Sequence, residues 1–271
     1  MLQQQKKWGR VFWCVLIVLI GGLLFGKQDA HASESDAVQI LFVGNSLTYR
    51  NQMSQMFQQL AEAGEYEVNV EILCRSGRSL EQWADKSSSL GKRFVKKLRS
   101  RQWDYVILQE QSLKPLKNPG SMQKAAASLC RSVRHRGAQP ILYMTWAHKE
   151  GAAFYSTSFA VKKKLNQQKA QESIARVYCR VGEVNGAAVA NVGLAFLRCQ
   201  QHYNSMELYS SDKRHPSREG SYLAACTLYA TIFQEKVPRE NCGLSSKSAS
   251  CLRNMAEKVT FTSKGKRQLG K

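Results

Sequence analysis

One unit recurs along this chain: a short apolar run that stops at a glycine or polar residue, followed by an amphipathic stretch of helical period. The runs fall at 40–43, 66–73, 104–108, 141–146 and 187–192. After Asp104 the third run is continuously apolar, as a strand buried on both faces requires, whereas 66–73 alternates through Val68, Val70 and Ile72. Residues 52–63 place Met53, Met56, Phe57 and Leu60 at helical spacing. Residues 79–83, 90–98, 121–136, 165–181 and 217–233 read as further helices, the last capped by Ser217. Strand-then-helix repetition demands crossover connections, so the expected class is α/β with a mainly parallel, doubly wound, five-stranded sheet.

Residues 1–32 read as an export signal. Lys6, Lys7 and Arg10 precede an apolar run at 11–25, and Ala30-His31-Ala32 offers a small-x-small site for cleavage after Ala32. The alternative is a retained anchor, the run being slightly shorter than the roughly 18 apolar residues of a spanning helix. On either reading the protein is secreted or at the cell surface. Residues 33–257 suffice for one domain, and 258–271, with Lys264, Lys266, Arg267 and Lys271, read as a frayed basic tail.

Export gives the formal charge of +20 a meaning. The polyanions outside a cell are envelope polymers and anionic headgroups, so the charge reads as retention on an anionic cell-envelope surface. Nucleic acid is not an expected partner, because the Lys and Arg residues are scattered and form no groove-reading module. Of eight cysteines, Cys14 lies in the signal and an odd number remains, so at least one thiol is unpaired or pairs between chains. Cys242 and Cys251 are candidates for a bridge, and Cys226 reads as core. No CxxC spacing points to a metal.

The chemistry begins where the first run ends, at Gly44-Asn45-Ser46-Leu47-Thr48. Ser46 falls at the carboxyl end of a strand, where open α/β sheets place their ligands. Downstream, Asp212-Lys213-Arg214-His215 supplies an acid and an imidazole three residues apart. Ser46 alone is an ordinary helix cap and His215 alone an ordinary loop histidine; together they fit the roles of a nucleophile, base and orienting acid. The choice of partners is narrow, since only His215, among His135, His148, His202 and His215, has an aspartate in immediate reach. Gly77 follows the second strand, where a backbone N–H can face an oxyanion without a Cβ in the way. Gln109 and Gln111 follow the third strand with amide donors, and Glu110 between them reads equally as the partner of an arginine. Trp146, beside His148, ends the fourth run and either packs against substrate or fills space.

Taken together, Gly44–Thr48, Arg75-Ser76-Gly77, Leu108-Gln109-Glu110-Gln111-Ser112 and Asp212–His215 resemble the blocks of the SGNH/GDSL hydrolase superfamily. Within it, they are most similar to a branch with GNSLT, LQEQS and DxxHPS blocks. The resemblance implies a flavodoxin-like three-layer α/β/α sandwich. It also implies Ser46 as nucleophile, His215 as base and Asp212 as orienting acid, with the Ser46 and Gly77 amides in the oxyanion hole. Asn45 stands where the superfamily commonly has aspartate, and is placed with Trp146 in the substrate pocket. Gln109 or Gln111 must replace the usual asparagine of the oxyanion hole. The activity so implied is a cofactor-free secreted serine esterase acting on a small ester or acylated carbohydrate, or on cell-envelope esters. The alternatives are a lipase or thioesterase of the same fold, or a non-catalytic envelope-polymer binder on that scaffold.

Overall fold

The structure, a computed structural model, describes residues 37–261. The export-signal reading of 1–32 lies outside the described residues, as do Lys264, Lys266, Arg267 and Lys271. Five parallel strands form one sheet: β1 (Val38–Gly44), β2 (Val68–Cys74), β3 (Tyr105–Gln109), β4 (Gln139–Tyr143) and β5 (Ala188–Ala190). Their order is β2-β1-β3-β4-β5, so the chain steps one way from β1 to β2 and the other way from β1 to β3. That reversal leaves a crevice beyond the carboxyl ends of β1 and β3, the position at which doubly wound sheets bind ligands.

The helices are α1 (Ser46–Tyr49), α2 (Met53–Ala63), α3 (Leu80–Ala84), α4 (Ser89–Arg99), α5 (Lys114–Lys117), α6 (Pro119–Arg134), α7 (Ser158–Lys162), α8 (Gln167–Asn185), α9 (Val192–His202), α10 (Arg218–Phe233) and α11 (Ser246–Phe261). Side chains alternate across β1, so Ile40 and Phe42 enter one core with α2, α9, α10 and α11. Leu41 and Val43 enter the other with α3, α4, α6 and α8. Layers on both faces make the three-layer α/β/α sandwich. At the sheet edge, β2 leaves Ile72 46% exposed, and Glu71 pairs with Lys97 and Arg101 of the α4 region.

Three expectations change. Residues 258–261 are the last turn of α11 rather than a frayed tail, because Val259 and Thr260 are buried. Cys242 and Cys251 are not bridged, and none of the seven described cysteines forms a disulfide among the described residues. The amphipathic helix expected at 217–233 is instead buried nearly all round: Tyr222, Ala225 and Tyr229 are buried besides Leu223, Ala224, Leu228 and Ile232, with Cys226 in the core as read. The cause is that α2, α9 and α11 pack around α10 on top of the sheet.

Leu252 of α11 is fully buried in that packing. Leu252→Ala is expected to cost about 2–5 kcal/mol, read as a lowered midpoint in urea unfolding. An unchanged midpoint would mean that α11 is not part of the cooperative core.

Candidate active site

The turn out of β1 leaves room for glycine alone. A Cβ on Gly44 would lie 2.5 Å from Gln109 Oε1 and 2.8 Å from Thr48 Oγ1. Asn45 then caps α1: its side-chain oxygen accepts from Leu47 N–H, and its Nδ2 donates to the Arg78 carbonyl at 2.8 Å. Ser46 follows as the first residue of α1, 7% exposed.

His215 reaches this serine from a loop across the sheet. Ser46 Oγ and His215 Nε2 are 2.9 Å apart, and His215 Nδ1 is 2.5 Å from Asp212 Oδ2. The other oxygen of Asp212 accepts from the backbone N–H of Arg214 and of His215. Burial would raise the Asp212 carboxyl, but the bonds from the His215 ring and these two N–H groups outweigh it and hold the acid well below the usual carboxylate range. An ionised Asp212 takes the Nδ1–H tautomer of His215, leaving the Nε2 lone pair toward Ser46. The structure thus brings Ser46, His215 and Asp212 into one hydrogen-bonded line.

The loop is fixed by groups outside it. Trp146 Nε1 donates to the Arg214 carbonyl at 2.9 Å, and Lys149 N–H donates to the Lys213 carbonyl. Asn51 Nδ2 lies 2.8–3.0 Å from the carbonyls of Pro216 and Ser217 and from Ser221 Oγ, stitching the serine segment to the start of α10. Asn51 and Gln52 both adopt positive φ there.

A pocket of about 60 Å³ opens at Ser46 and His215, lined also by Ser76, Gly77, Gln111, Ser112 and Arg214. Gly77 has φ +69° and faces open space. Neither its N–H nor that of Ser46 donates to another group among the described residues. Gln111 turns its side-chain oxygen to Leu113 and Lys114 N–H, and its Nε2 donates to nothing within the described residues. All three residues line the pocket beside His215.

Two expected site residues lie away from the pocket, and a third borders it as expected with its side chain already engaged. Gln109 is fully buried; its oxygen accepts from Asn45 N–H and Thr48 Oγ1, and its Nε2 donates to the Glu110 carbonyl, so it is not an oxyanion donor. Trp146 does not line the pocket: it is fully buried and stacked on Phe196 with centroids 4.2 Å apart. Asn45 borders the pocket, but its side chain is consumed by the cap and by Arg78.

Glu110 pairs with no arginine among the described residues. Its Oε1 accepts from Leu80 N–H at 3.0 Å and Gln111 N–H at 2.6 Å, tying the Gly77 loop to the Gln111 loop. Its Oε2 is buried without a partner among the described residues, and burial pushes the carboxyl up to about 7 despite those N–H bonds. The sequence signal was weak, since a buried carboxylate is the least expected tenant of a strand end. Nearby, Ser112 Oγ and His148 Nε2 stand 3.3 Å apart. Burial, with the Arg214 charge adding to it, pushes His148 down to about 4, so this ring is a weak base, and no acid bonds to it among the described residues.

No protein-family model matches the chain, and no curated protein does. Among solved structures, a presumptive SGNH hydrolase from Slackia heliotrinireducens is 32% identical with a TM-score of 0.62, over 73% of this chain and 100% of its own. A DUF4886 family protein from Bacteroides uniformis is 19% identical with a TM-score of 0.70, over 83% and 95%. The acetyl xylan esterase AlAXEase is 11% identical with a TM-score of 0.56, over 72% and 100%. The fold is the three-layer sandwich of SGNH hydrolases. The chain belongs to the SGNH/GDSL hydrolase superfamily.

Glu110 makes a pH prediction. Below pH 4.5 folded and unfolded chains both carry its proton; between 4.5 and about 7 only the folded chain keeps it, so rising pH favours unfolding. Above that window the difference is constant. The melting temperature of the wild type should therefore fall across this window relative to Glu110→Gln, whose amide does not titrate. Parallel curves would show that Glu110 ionises as it does in water.

Proposed function

We propose that this protein is an exported serine esterase that removes a small acyl group, acetyl being the smallest, from carbohydrate or cell-envelope esters. The observation that carries the proposal is the line from Ser46 Oγ through His215 to Asp212, beside a pocket bordered by unspent N–H donors. The small pocket supports a short acyl group, and the same fold in AlAXEase carries an acetyl xylan esterase. Export rests on the residue pattern at 1–32, and the basic charge supports an anionic envelope as the setting.

In this reading Ser46 Oγ attacks the ester carbonyl as its proton passes to His215 Nε2. The oxyanion takes hydrogen bonds from the Ser46 and Gly77 N–H groups and from Gln111 Nε2, each typically worth about 2.7–4 kcal/mol in the transition state. Collapse breaks the ester bond, and the alcohol leaves with the proton held by His215. Water then gives a proton to the same nitrogen, attacks the acyl-Ser46 ester and releases the acid, and His215 returns the proton to Oγ. Asp212 stays ionised throughout and stabilises the imidazolium.

Ser46→Ala is expected to lower kcat for 4-nitrophenyl acetate to background while the melting curve is unchanged. Turnover equal to the wild type would sink the assignment. Gln111→Ala, which removes the one side-chain donor, should lower kcat by about 10²-fold with a smaller change in KM. An effect confined to KM would instead make Gln111 a ground-state contact.

A further inference from the structure

The pocket that receives the acyl group is small, so any sizeable alcohol part of an ester must lie across its rim. That rim carries a cation on the His215 side. Arg214 lines the pocket on the His215 loop, with its side chain 50% exposed. Arg75 and Arg78 flank Gly77 on the opposite loop. The acid in reach of Arg214 is Asp212, and it is already engaged: its Oδ2 holds the His215 ring, and the Arg214 guanidinium stands 3.9 Å from that oxygen. No ion pair forms at Arg75 or Arg78 among the described residues, and Arg78 Nε is buried without an acceptor. No carboxylate lines the pocket.

A cation at the mouth of a cleft raises the local concentration of anions. A solvated basic surface would spread its charge away from the chemistry; here a guanidinium borders the same small pocket as the nucleophile. Guanidinium groups match carboxylate and phosphate in fork geometry. Resting on the esterase reading, we infer that the substrate carries an anionic group on its alcohol part and that Arg214 binds it, making Arg214 the residue that sets specificity for acidic over neutral esters.

A matched pair of esters tests this. In 3-acetoxybenzoate the alcohol part bears a carboxylate, and in 3-acetoxybenzamide a neutral group of the same shape. Each kcat/KM is divided by the rate of hydroxide-catalysed hydrolysis of the same ester, which removes leaving-group differences. The wild type should favour the anion by about fivefold or more, and the preference should shrink between about 0.02 M and about 0.5 M NaCl. Arg214→Gln should bring the ratio to near one, and Arg214→Lys should retain part of it. Equal normalised rates in the wild type, or a ratio unchanged in Arg214→Gln, would overturn the inference while leaving the esterase reading in place. Hydrolysis of neither ester would defeat that reading, and the inference with it.

Discussion

The hydrogen bond between Ser46 Oγ and His215 Nε2 joins residues 169 positions apart, and every other feature of the site presupposes it. Neither partner could hold the geometry alone, since one sits on a four-residue helix and the other on a loop. Register in the sheet fixes the first: β1 is central, paired with β2 and β3, and its end is closed over Gln109. Packing fixes the second. Trp146 is anchored in the core against Phe196 and holds the Arg214 carbonyl, while Asn51 grips the start of α10. A hydroxyl and an imidazole thus meet because two rigid elements of the core bring them together.

Polar groups buried beneath the site do the remaining positioning. Gln109 ties the backbone of the nucleophile turn to β3, and Glu110 ties the Gly77 loop to the Gln111 loop. Such groups are costly to bury, and Glu110 keeps one oxygen unpartnered. What the cost secures is separation of roles: Asp212 is held ionised behind His215, while His148, close by, is held neutral. Among the described residues two serine–histidine pairs lie near one another, and one of them has an acid behind it.

The sheet was legible because its signal is local: an apolar run such as 104–108 is readable without knowing its neighbours. So were Ser46, Gly77, Asp212 and His215 as candidates, since each sits in a turn or loop whose residue types are unusual. The final helix was not legible as core. Its stripe of Ala249, Leu252, Met255, Ala256 and Val259 is interleaved with polar residues, and only the uncovered side of α10 gives it something to bury against. The division of labour between Gln109 and Gln111 was equally out of reach. Two residues apart on a strand end they share a chemistry, and only the close approach of Gly44 and Thr48 shows which of them is spent. Trp146 was misplaced for a related reason: an aromatic at a strand's carboxyl end can face the ligand or the helix layer, and Phe196 decides it.

The most direct measurement is reaction of the purified protein with a fluorophosphonate, followed by mass-spectrometric mapping of the adduct. The account predicts one phosphonyl group per chain, on Ser46, lost when His215 is replaced by alanine. No adduct, or an adduct carried by Ser112 beside His148, would contradict it.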